Sequence, residues 1–197
     1  MRKLITTAVV LAMAATGAFG AAEVLDGKAA KKMLFSIKGS DFVVVPQDFM
    51  GDSDVALLNM MAGMKEFKSV LYYGAIAASP KNGLAHKATV ATSNHHTIEA
   101  ADKAALEECN SLRGGGAKCV VVAHILPKKY AEQPLTLSAS ATASFKKTYL
   151  RGAGPKALAI SPSQGSYAVS KGADAIETAL SVCSGDGAKD CRIVVQD

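Results

Sequence analysis

The feature that most constrains this chain is a pattern of residues that occurs twice. Residues 74–83 and 156–165 each place a run of Ala, Ile and Leu before the sequence Ser-Pro-x-x-Gly. An Ala-rich run that ends in Cys follows in both, over 97–109 and 173–183, and then a glycine-containing loop, a second Cys and a β-branched run. Because these features recur in the same order, we predict two copies of one module.

Each part of the repeated pattern has a structural interpretation. Proline fixes φ early in a turn and glycine supplies a left-handed position at its end, so Ser-Pro-x-x-Gly predicts a hairpin between the flanking apolar runs. Leu158 and Ile160 alternate with alanine, as the residues of a half-buried strand do. In the first copy, Thr97 is placed to cap a helix whose apolar residues recur at helical spacing. Each copy is therefore predicted to fold as β-β-α-β.

These elements predict an α+β fold. We expect the two tandem β-β-α-β repeats to share one mostly antiparallel sheet, with helices on one face and the N-terminal segment covering an edge. Repeat 1 carries about eight extra residues, around Ala91 to His96. The predicted order along the chain is a signal peptide, an N-terminal α/β extension, repeat 1, a connector and repeat 2, at residues 1–21, 22–70, 71–126, 127–155 and 156–197.

The extension and the connector have their own signals. Asp26 is placed to cap a helix, residues 42–45 predict a strand that stops at Pro46, and Ser53 or Asp54 can begin a second helix. Flexible thioether side chains fill irregular gaps, so the methionines of that second helix are predicted to be core filler: Met60, Met61 and Met64. The connector predicts a short helix over 138–149 and large apolar side chains that need burial, which are Leu135, Leu137, Phe145 and Tyr149.

The first residues have the order of a secretory signal peptide. Arg2 and Lys3 precede an apolar run from Leu4 to Ala15, and small residues suited to cleavage follow between Ala18 and Ala22. The apolar run is shorter than the roughly 20 residues that span a bilayer. We therefore predict export through the Sec route, to the periplasm or outside the cell, and no integral membrane segment after cleavage.

Four cysteines in an exported chain predict two disulfides, for which three pairings are possible. The repeat favours Cys109–Cys119 and Cys183–Cys191, because each bond then closes the helix-to-strand loop of its own copy. Free core thiols are the alternative. A zinc site made of the four is disfavoured, since their spacings differ from the usual two to four residues between zinc ligands.

Charge and composition exclude some classes of partner. The chain without residues 1–21 has 20 basic residues against 17 acidic ones, a net charge of +3. The lysine pairs at 31–32, 128–129 and 146–147 are scattered, whereas a nucleic-acid binder usually concentrates its basic residues in one patch. Aromatic residues make up 6% of the chain and Trp is absent, so neither nucleic acid nor a broad aromatic binding platform is expected.

His95 and His96, among the extra residues of repeat 1, are the most suggestive pair for chemistry. Adjacent residues on an extended chain point apart, so a shared metal would need His86 or His124 to converge on them. The simpler interpretation of the pair is an exposed loop. The simpler interpretation of His124 is a histidine at a sheet edge whose hydrogen bonds are satisfied. We expect no metal and no other cofactor.

The sequence contains no motif that assembles a catalytic set. A serine hydrolase places its nucleophile on a strained Gly-x-Ser-x-Gly turn, which residues 163–166 do not match. Ser79 and Ser161 recur in the repeat, but hydroxyls in turns usually cap backbone groups. The glycines at 114–116 follow a helix, whereas a phosphate loop precedes one. These observations favour a protein that is not an enzyme.

Repeat 1 resembles a small secreted bacterial module that is catalogued as a domain of unknown function. The resemblance rests on Gly-Ala-Ile-Ala-x-Ser-Pro-x-x-Gly at 74–83, Ala-Ala-Leu-Glu-Glu-Cys at 104–109 and Cys-Val-Val-Val at 119–122. Repeat 2 matches over 157–195, although Pro155 and Lys156 stand where the module begins with an aromatic residue and glycine. The resemblance implies an exported protein and supplies no catalytic residue.

The whole chain is also similar to exported proteins of alphaproteobacteria, in which Asp-Gly-Lys, here at 26–28, and Lys-Ala-Leu-Ala-Ile-Ser, here at 156–161, recur. Some of these proteins carry the label 5-aminolevulinate synthase. The residues of this chain do not support that activity, because the enzyme needs a lysine Schiff base within a large pyridoxal-phosphate fold.

We therefore expect an exported, non-catalytic binding or structural protein whose partner is an envelope protein or a cell-wall component. Two alternatives stay open. One is a periplasmic hydrolase-like enzyme built around His95, His96 or His124, which a cleft that joins these histidines to a carboxylate would favour. The other is a carrier of a small ligand or metal that uses His95, His96 and the methionines.

Overall fold

The structure is a computed structural model that describes residues 24–185 and 187–197. The predicted signal peptide, residues 1–21, lies outside the described residues. Among the residues that are described, no helix is both long enough and apolar enough to cross a membrane.

The described chain has the α+β architecture that the sequence predicts. Its helices are α1 (Gly27–Met33), α2 (Asp52–Gly63), α3 (Lys65–Lys68), α4 (Ile98–Leu112), α5 (Ala139–Ser144), which continues as a π-helical turn (Phe145–Tyr149), and α6 (Ala175–Ser184). Its strands are β1 (Ser40–Val44), β2 (Gly74–Ala78), β3 (Val90–Thr92), β4 (Val120–Pro127), β5 (Lys156–Ile160), β6 (Tyr167–Lys171) and β7 (Arg192–Gln196).

The strands form two antiparallel sheets, with the orders β1-β4-β2-β3 and β6-β5-β7. Residues 71–126 and 156–197 each follow the order β-β-α-β, and in both the first strand lies between the other two. The pairing of the first and last strands shifts register after the third residue of β2 and after the third residue of β5. The two segments thus have the same topology and the same irregularity in addition to a common sequence pattern.

The prediction that both copies share one sheet is wrong. The outer edges of β4 and β7 are covered by N-terminal residues, since β1 pairs along β4 and Leu25 forms a parallel bridge with Val195 of β7. The opposite edge of the first sheet is β3, which has only three residues before the chain turns away at Asn94, with a φ of 65°. Because these edges are covered or short, no described strand of one sheet pairs with a strand of the other.

The prediction that helices cover one face is also wrong, because both faces of each sheet are packed. β2 is buried along its whole length, and four of the five residues of β5 are buried. The first sheet packs between α4 and α2, and the second between α6 and the pair formed by α1 and α5. The alternation of Leu158 and Ile160 with alanine therefore separates large from small side chains, and not buried from exposed ones.

Small side chains let α4 lie close to the first sheet. Ala101, Ala105 and Cys109 follow at four-residue spacing on the buried face of α4, in one cluster with Ala75 and Ala77 of β2. The alanine side chains at this contact are single methyl groups, so the helix and the sheet approach closely. The contact therefore leaves no space for a longer side chain. The second sheet repeats the arrangement with Ala157, Ala159, Ala175, Ala179 and Cys183.

A disulfide joins each of these helices to the strand that follows it. Cys109 is bonded to Cys119 and Cys183 to Cys191, with a Cα separation of 6.1 Å in both. This is the pairing that the repeat predicted, and the described residues include no free cysteine. Closing such short loops restricts the unfolded chain, which the chain-entropy model values at about 2–3 kcal/mol for each bond.

Side-chain caps begin three of the helices, two of them as the sequence predicts. The Ala29 amide donates to the Asp26 carboxylate at 2.7 Å, and the Ala100 amide donates to the Thr97 hydroxyl at 3.1 Å. Ser138 caps α5 in the same way. The second N-terminal helix begins at Asp52, one residue before Ser53 and two before Asp54, the two starts that the sequence predicted.

The methionines of α2 are not core filler as predicted. Met60 and Met64 are 63% and 48% exposed, and Leu58 is the one residue of α2 classed as buried. Met61 is only partly buried against the same sheet face as Leu58. The helix rests on the first sheet along one narrow row, and its other apolar side chains face outward.

The connector is packed as predicted, and it belongs to the core of the second sheet. The four large side chains that were predicted to need burial are buried: Leu135, Leu137, Phe145 and Tyr149. They form one cluster with Ala30 of α1 and with Leu158 and Val195 of the second sheet. The N-terminal residues therefore serve both sheets, α1 on the second and β1 with α2 on the first.

The alanine contact under α4 predicts that a larger side chain is not tolerated there. Ala105→Leu inserts three carbon atoms against β2, and we expect it to lower the free energy of unfolding by about 1–3 kcal/mol. Glu108→Leu on the exposed side of the same helix is the matched control and should change it by less than about 0.5 kcal/mol. Urea unfolding measures both, and equal effects of the two substitutions would contradict the close contact.

Candidate functional site

Residues 94–97 leave the first sheet and meet the connector and the β5–β6 turn of the second sheet; we call this contact the seam. The Ser140 amide donates to Asn94 Oδ1 at 3.0 Å, and the His95 amide donates to the Tyr73 carbonyl oxygen at 3.0 Å. The His96 side chain is fully buried. The interpretation of His95 and His96 as an exposed loop is therefore wrong, because His96 is buried and His95 is partly buried.

His96 bridges two elements that are distant in sequence. Its Nδ1 accepts a hydrogen bond from the Ser138 amide at 3.0 Å, and its Nε2 lies 3.1 Å from the Ser166 carbonyl oxygen. An amide can only donate and a carbonyl can only accept, so these partners require a neutral imidazole with its proton on Nε2. The ring also meets Tyr167 edge to face, with centroids 6.5 Å apart.

Burial lowers the pKa of His96 below its ordinary value, and it acts in the same direction on His95. The charged form is disfavoured because it would lose hydration at the seam. As pH falls below about 6.5, the unfolded chain binds protons on these histidines before the folded chain does. The contribution of these two histidines to the free energy of unfolding is therefore fully present above that pH and declines as the pH falls below it.

The seam does not provide a metal centre. Both ring nitrogens of His96 are held by backbone groups, so the side chain cannot bind a metal without losing one of these hydrogen bonds. Among the described residues, no three His, Cys, Asp or Glu side chains come together as a possible metal site. The geometry therefore offers no support for the carrier hypothesis at His95 and His96.

A hydroxyl of the β5–β6 turn contacts a carboxylate of the loop before β7, but their roles are structural. The buried Ser161 hydroxyl donates to the Asp190 carboxylate and accepts from the Gln164 amide at 3.2 Å. The Ser163 amide donates to the same carboxylate at 2.9 Å. Partial burial raises the pKa of Asp190, but these hydrogen bonds outweigh it and hold the pKa below its usual value.

Ser161 is therefore not arranged as a nucleophile. His96 donates to Ser166 and not to Ser161 or Asp190, so the serine, the carboxylate and the histidine do not form a triad. The corresponding serine of the first sheet, Ser79, is also buried, yet its hydroxyl makes no hydrogen bond with a described residue. Lys118 stands before Cys119 where Asp190 stands before Cys191, which explains why Ser79 lacks a carboxylate partner.

His124 forms a histidine–carboxylate contact with Asp102. Its Nε2 lies 2.8 Å from Asp102 Oδ1, and the two side chains are 20% and 30% exposed. The expected position at a sheet edge is wrong, since β4 lies between β1 and β2. Within the described residues, no Ser, Thr or Cys side chain hydrogen-bonds to His124. In this part of the structure, the His124–Asp102 pair is therefore not in contact with a side-chain nucleophile.

Beside the seam lies a concave surface that we call the seam cleft, with a volume of about 380 Å³. The extended N-terminal residues, α1, the connector, β5 and β7 meet here, and most of the lining is apolar. The lining residues are Leu25, Met33, His96, Thr97, Pro134, Leu135, Thr136, Ile160, Pro162, Arg192 and Val194. A volume of this size suits a small ligand or a few side chains of a larger one.

Arg192 is the charged residue of the seam cleft. It begins β7 directly after Cys191, and its guanidinium makes no ion pair or hydrogen bond with any residue that the structure describes. In the first sheet Val120 holds the corresponding place after Cys119, so the charge is particular to the second sheet. A free guanidinium beside an apolar hollow is a receptor for a planar anion.

The sequence did not lead us to this cleft, because its walls come from five separate parts of the chain. One signal was available. The β-branched run after the second cysteine is Val-Val-Val in repeat 1 and Arg-Ile-Val-Val in repeat 2, so Arg192 departs from its counterpart in charge. Comparing the copies for differences would have identified Arg192, whereas the histidines attracted attention only by their residue type.

Comparisons of the chain with protein-family models, with curated proteins and with solved structures found no match. The geometry of the seam and of its cleft therefore carries the functional argument.

The two repeat serines give a matched test of the structural role assigned to Ser161. Ser161→Ala removes a hydrogen bond to a carboxylate, and we expect it to lower the free energy of unfolding by about 1.5–3 kcal/mol at pH 7. Ser79→Ala removes a buried hydroxyl without a partner and should leave stability unchanged or raise it. Chemical denaturation measures the free energy of unfolding of both variants. Equal decreases would contradict a stabilising contribution from the Ser161–Asp190 contact.

Proposed function

We propose that this is an exported binding protein with no catalytic role, in which the seam cleft receives an apolar group that lies next to a carboxylate. The observation that carries the proposal is the combination of an apolar hollow and Arg192 at its rim, which forms no ion pair with a described residue. The partner class is a protein or cell-envelope component that presents this chemistry. A free carboxylic acid and the C-terminal residue of a peptide both offer it.

The walls of the cleft support apolar recognition. Three wall residues come from different segments of the chain: Leu25, Ile160 and Val194. Backbone pairing joins these segments, since both the amide and the carbonyl group of Leu25 hydrogen-bond to β7. The Leu25 amide donates to the Val194 carbonyl oxygen at 3.1 Å, and the Gln196 amide donates to the Leu25 carbonyl oxygen at 2.9 Å. A hollow held by such pairing is largely formed before a ligand arrives, which reduces the entropy that binding costs.

Arg192 supports recognition of a carboxylate. Its planar guanidinium can donate two parallel hydrogen bonds to the two oxygens of a carboxylate, a geometry that an ammonium group cannot reproduce. Next to apolar walls such a pair is better shielded from water than on an open surface. The guanidinium would then set the orientation of the ligand, and the apolar walls would contribute most of the affinity.

The chemistry of the remaining polar groups supports binding in preference to catalysis. His96 and Ser161 have their polar atoms engaged with the backbone or with Asp190. Asp102 lies on α4 and His124 on β4, whereas the cleft is lined by other elements. Catalysis would require one of these pairs to change its partners and to reach a substrate.

Two observations support export. Residues 1–21 have the composition of a signal peptide, and all four cysteines are paired in disulfides. Disulfides persist in oxidising compartments such as the periplasm and the exterior of the cell. A binding protein in these compartments would meet envelope proteins and cell-wall components first.

The experiment uses three probes: N-acetyl-leucine, its amide, and a hexapeptide that ends in Leu-Leu with a free carboxylate. We expect the two acids to shift the backbone amide NMR signals of Leu25, Ile160 and Val194, and the amide to bind at least about tenfold more weakly, because it cannot pair with Arg192. Tighter binding of the peptide than of N-acetyl-leucine would identify a peptide terminus as the ligand.

Arg192→Gln should reduce the affinity for both acids about tenfold or more and leave the weak binding of the amide unchanged. Arg151→Gln is the matched control, because Arg151 is exposed and does not line the cleft. Equal binding of acid and amide, equal effects of the two substitutions, or no shift at the cleft with any probe would overturn the proposal.

A further inference from the structure

The layer of helices that covers one face of the second sheet is strongly basic. It is built from α1 and from α5 with its π-helical turn. Residues 24–38 and 139–156, which contain these elements, include eight basic residues and one acidic residue, Asp26. The chain without the predicted signal has only three more basic than acidic residues, so positive charge is concentrated in this layer and is not spread evenly.

The lysines of α1 lie on the side of the helix that faces away from the sheet. Lys28, Lys31 and Lys32 follow at the spacing that places side chains on one face of a helix, and all three are exposed. The opposite side of the helix carries Gly27 and Ala30, which are buried. Small residues therefore hold α1 against the core, and its lysines face the solvent.

A second lysine pair, distant in sequence, lies beside α1. A Cβ atom placed on Gly27 would lie 2.8 Å from Tyr149 Cε1, so α1 and the π-helical turn are in contact. Lys146 is partly buried and donates from Nζ to the Phe35 carbonyl oxygen at 2.7 Å, just beyond the end of α1, while Lys147 is exposed. Two of the three lysine pairs that are scattered in the sequence thus come together in the fold.

We call this surface the basic face; its residues are Lys28, Lys31, Lys32, Lys146, Lys147 and Arg151. None of the six forms an ion pair with a residue that the structure describes. The nearby carboxylates have other partners, since Asp26 caps α1 and Asp197 pairs with Lys156 at 3.2 Å. The charges of the basic face are therefore available to an external anion.

The other side of the second sheet has the opposite charge. Residues 174–184, which contain α6, include two acidic residues and no basic residue. Helix α6 packs on the face of the sheet opposite to α1 and α5. The charge is therefore polarised across this sheet, and a negatively charged surface would attract the protein with the basic face towards it.

Three features favour a membrane surface over a nucleic acid as the partner. Five of the six basic residues are lysines, which act as point charges, whereas nucleic-acid recognition favours the planar guanidinium of arginine. The aromatic rings of this layer, Phe145 and Tyr149, are buried and are not placed to stack on bases. Val24 before α1 and Ile37 after it are 46% and 37% exposed, and apolar side chains next to lysines are typical of surfaces that bind anionic membranes.

We propose that the basic face binds the surface of a membrane that contains anionic phospholipids. Its lysines and Arg151 attract the lipid phosphate groups, and Val24 and Ile37 contact the boundary between headgroups and acyl chains. The predicted export would bring the protein to the cell envelope, where such surfaces are present. No residue of the basic face lines the seam cleft, so this interaction is separate from the ligand binding proposed there.

The test is flotation with vesicles of phosphatidylcholine and phosphatidylglycerol in a ratio of two to one, compared with vesicles of phosphatidylcholine alone. It uses the processed chain, whose mass confirms removal of the signal. We expect binding to the anionic vesicles only. Raising the salt concentration from about 0.1 M to about 1 M should release most of the protein, because the Debye length falls from about 10 Å to about 3 Å.

The triple substitution Lys28→Gln, Lys31→Gln and Lys32→Gln should weaken binding to the anionic vesicles about tenfold or more. The reason is that each lysine near an anionic membrane raises the affinity about fivefold. Glutamine is a good helix former, so the exposed face of α1 tolerates the change.

The matched control removes the same charge from exposed positions elsewhere, through Lys87→Gln, Lys118→Gln and Lys189→Gln. It should leave most of the vesicle binding intact. Equal losses in the two triple variants would mean general attraction by positive charge and would overturn the proposal.

A second pair of variants tests the apolar contact. Ile37→Ser should weaken vesicle binding several-fold, because membrane affinity at an interface grows with the apolar area that is buried. Leu112→Ser changes a side chain of similar exposure at the end of α4 and should have no comparable effect. Equal effects of the two substitutions would contradict membrane contact at the basic face.

A single-stranded oligonucleotide at the same phosphate concentration is the competing partner. Binding of the oligonucleotide as tight as that of the anionic vesicles, or no binding to the vesicles, would overturn the proposal. Arg192→Gln should leave vesicle binding intact, so failure at the basic face and failure at the seam cleft give different results.

Discussion

The buried imidazole of His96 links the segment that leaves the first sheet to the connector and to the second sheet. One of its nitrogens accepts the Ser138 amide at the start of α5 and the other donates to the Ser166 carbonyl oxygen in the turn of the second sheet. Because both partners are backbone groups with fixed roles, the bridge requires one tautomer and one charge state. The connector begins its helix at this point, and His96 and Thr97 line the seam cleft. The binding site proposed at the seam cleft thus depends on the same link as the fold.

Local chemistry made much of the fold predictable from the sequence. Gly83 and Gly165 take the left-handed φ values that Ser-Pro-x-x-Gly requires, Thr97 and Asp26 cap their helices, and each disulfide closes the loop of its own copy. These features depend on residues close in sequence, whose geometry constrains them directly. The large apolar residues of the connector were also placed correctly, since side chains such as Phe145 and Tyr149 are stabilised by burial wherever the chain allows it.

The errors arise where distant segments decide the outcome. Alternation of leucine and isoleucine with alanine reads as a half-exposed strand, but helix α6 lies on the alanine side and buries it. The two copies were expected to share a sheet, yet the strand edges are covered by β1 and Leu25, whose pairing the repeat does not encode. His96 and its adjacent histidine suggest an exposed loop by composition, and only the backbone groups brought there by the connector make burial favourable. Arg192 lines the seam cleft together with residues that are far away in sequence.

The most direct test of this account is the protonation state of His96, read from its ring nitrogen and carbon NMR shifts as a function of pH. The account predicts a neutral ring with the proton on Nε2 at pH 7, which stays neutral as the pH is lowered through the ordinary histidine pKa of about 6.5, for as long as the fold persists. Protonation at that ordinary pKa, or a proton on Nδ1 at pH 7, would contradict it, because neither state can accept the Ser138 amide and donate to Ser166 from the same ring.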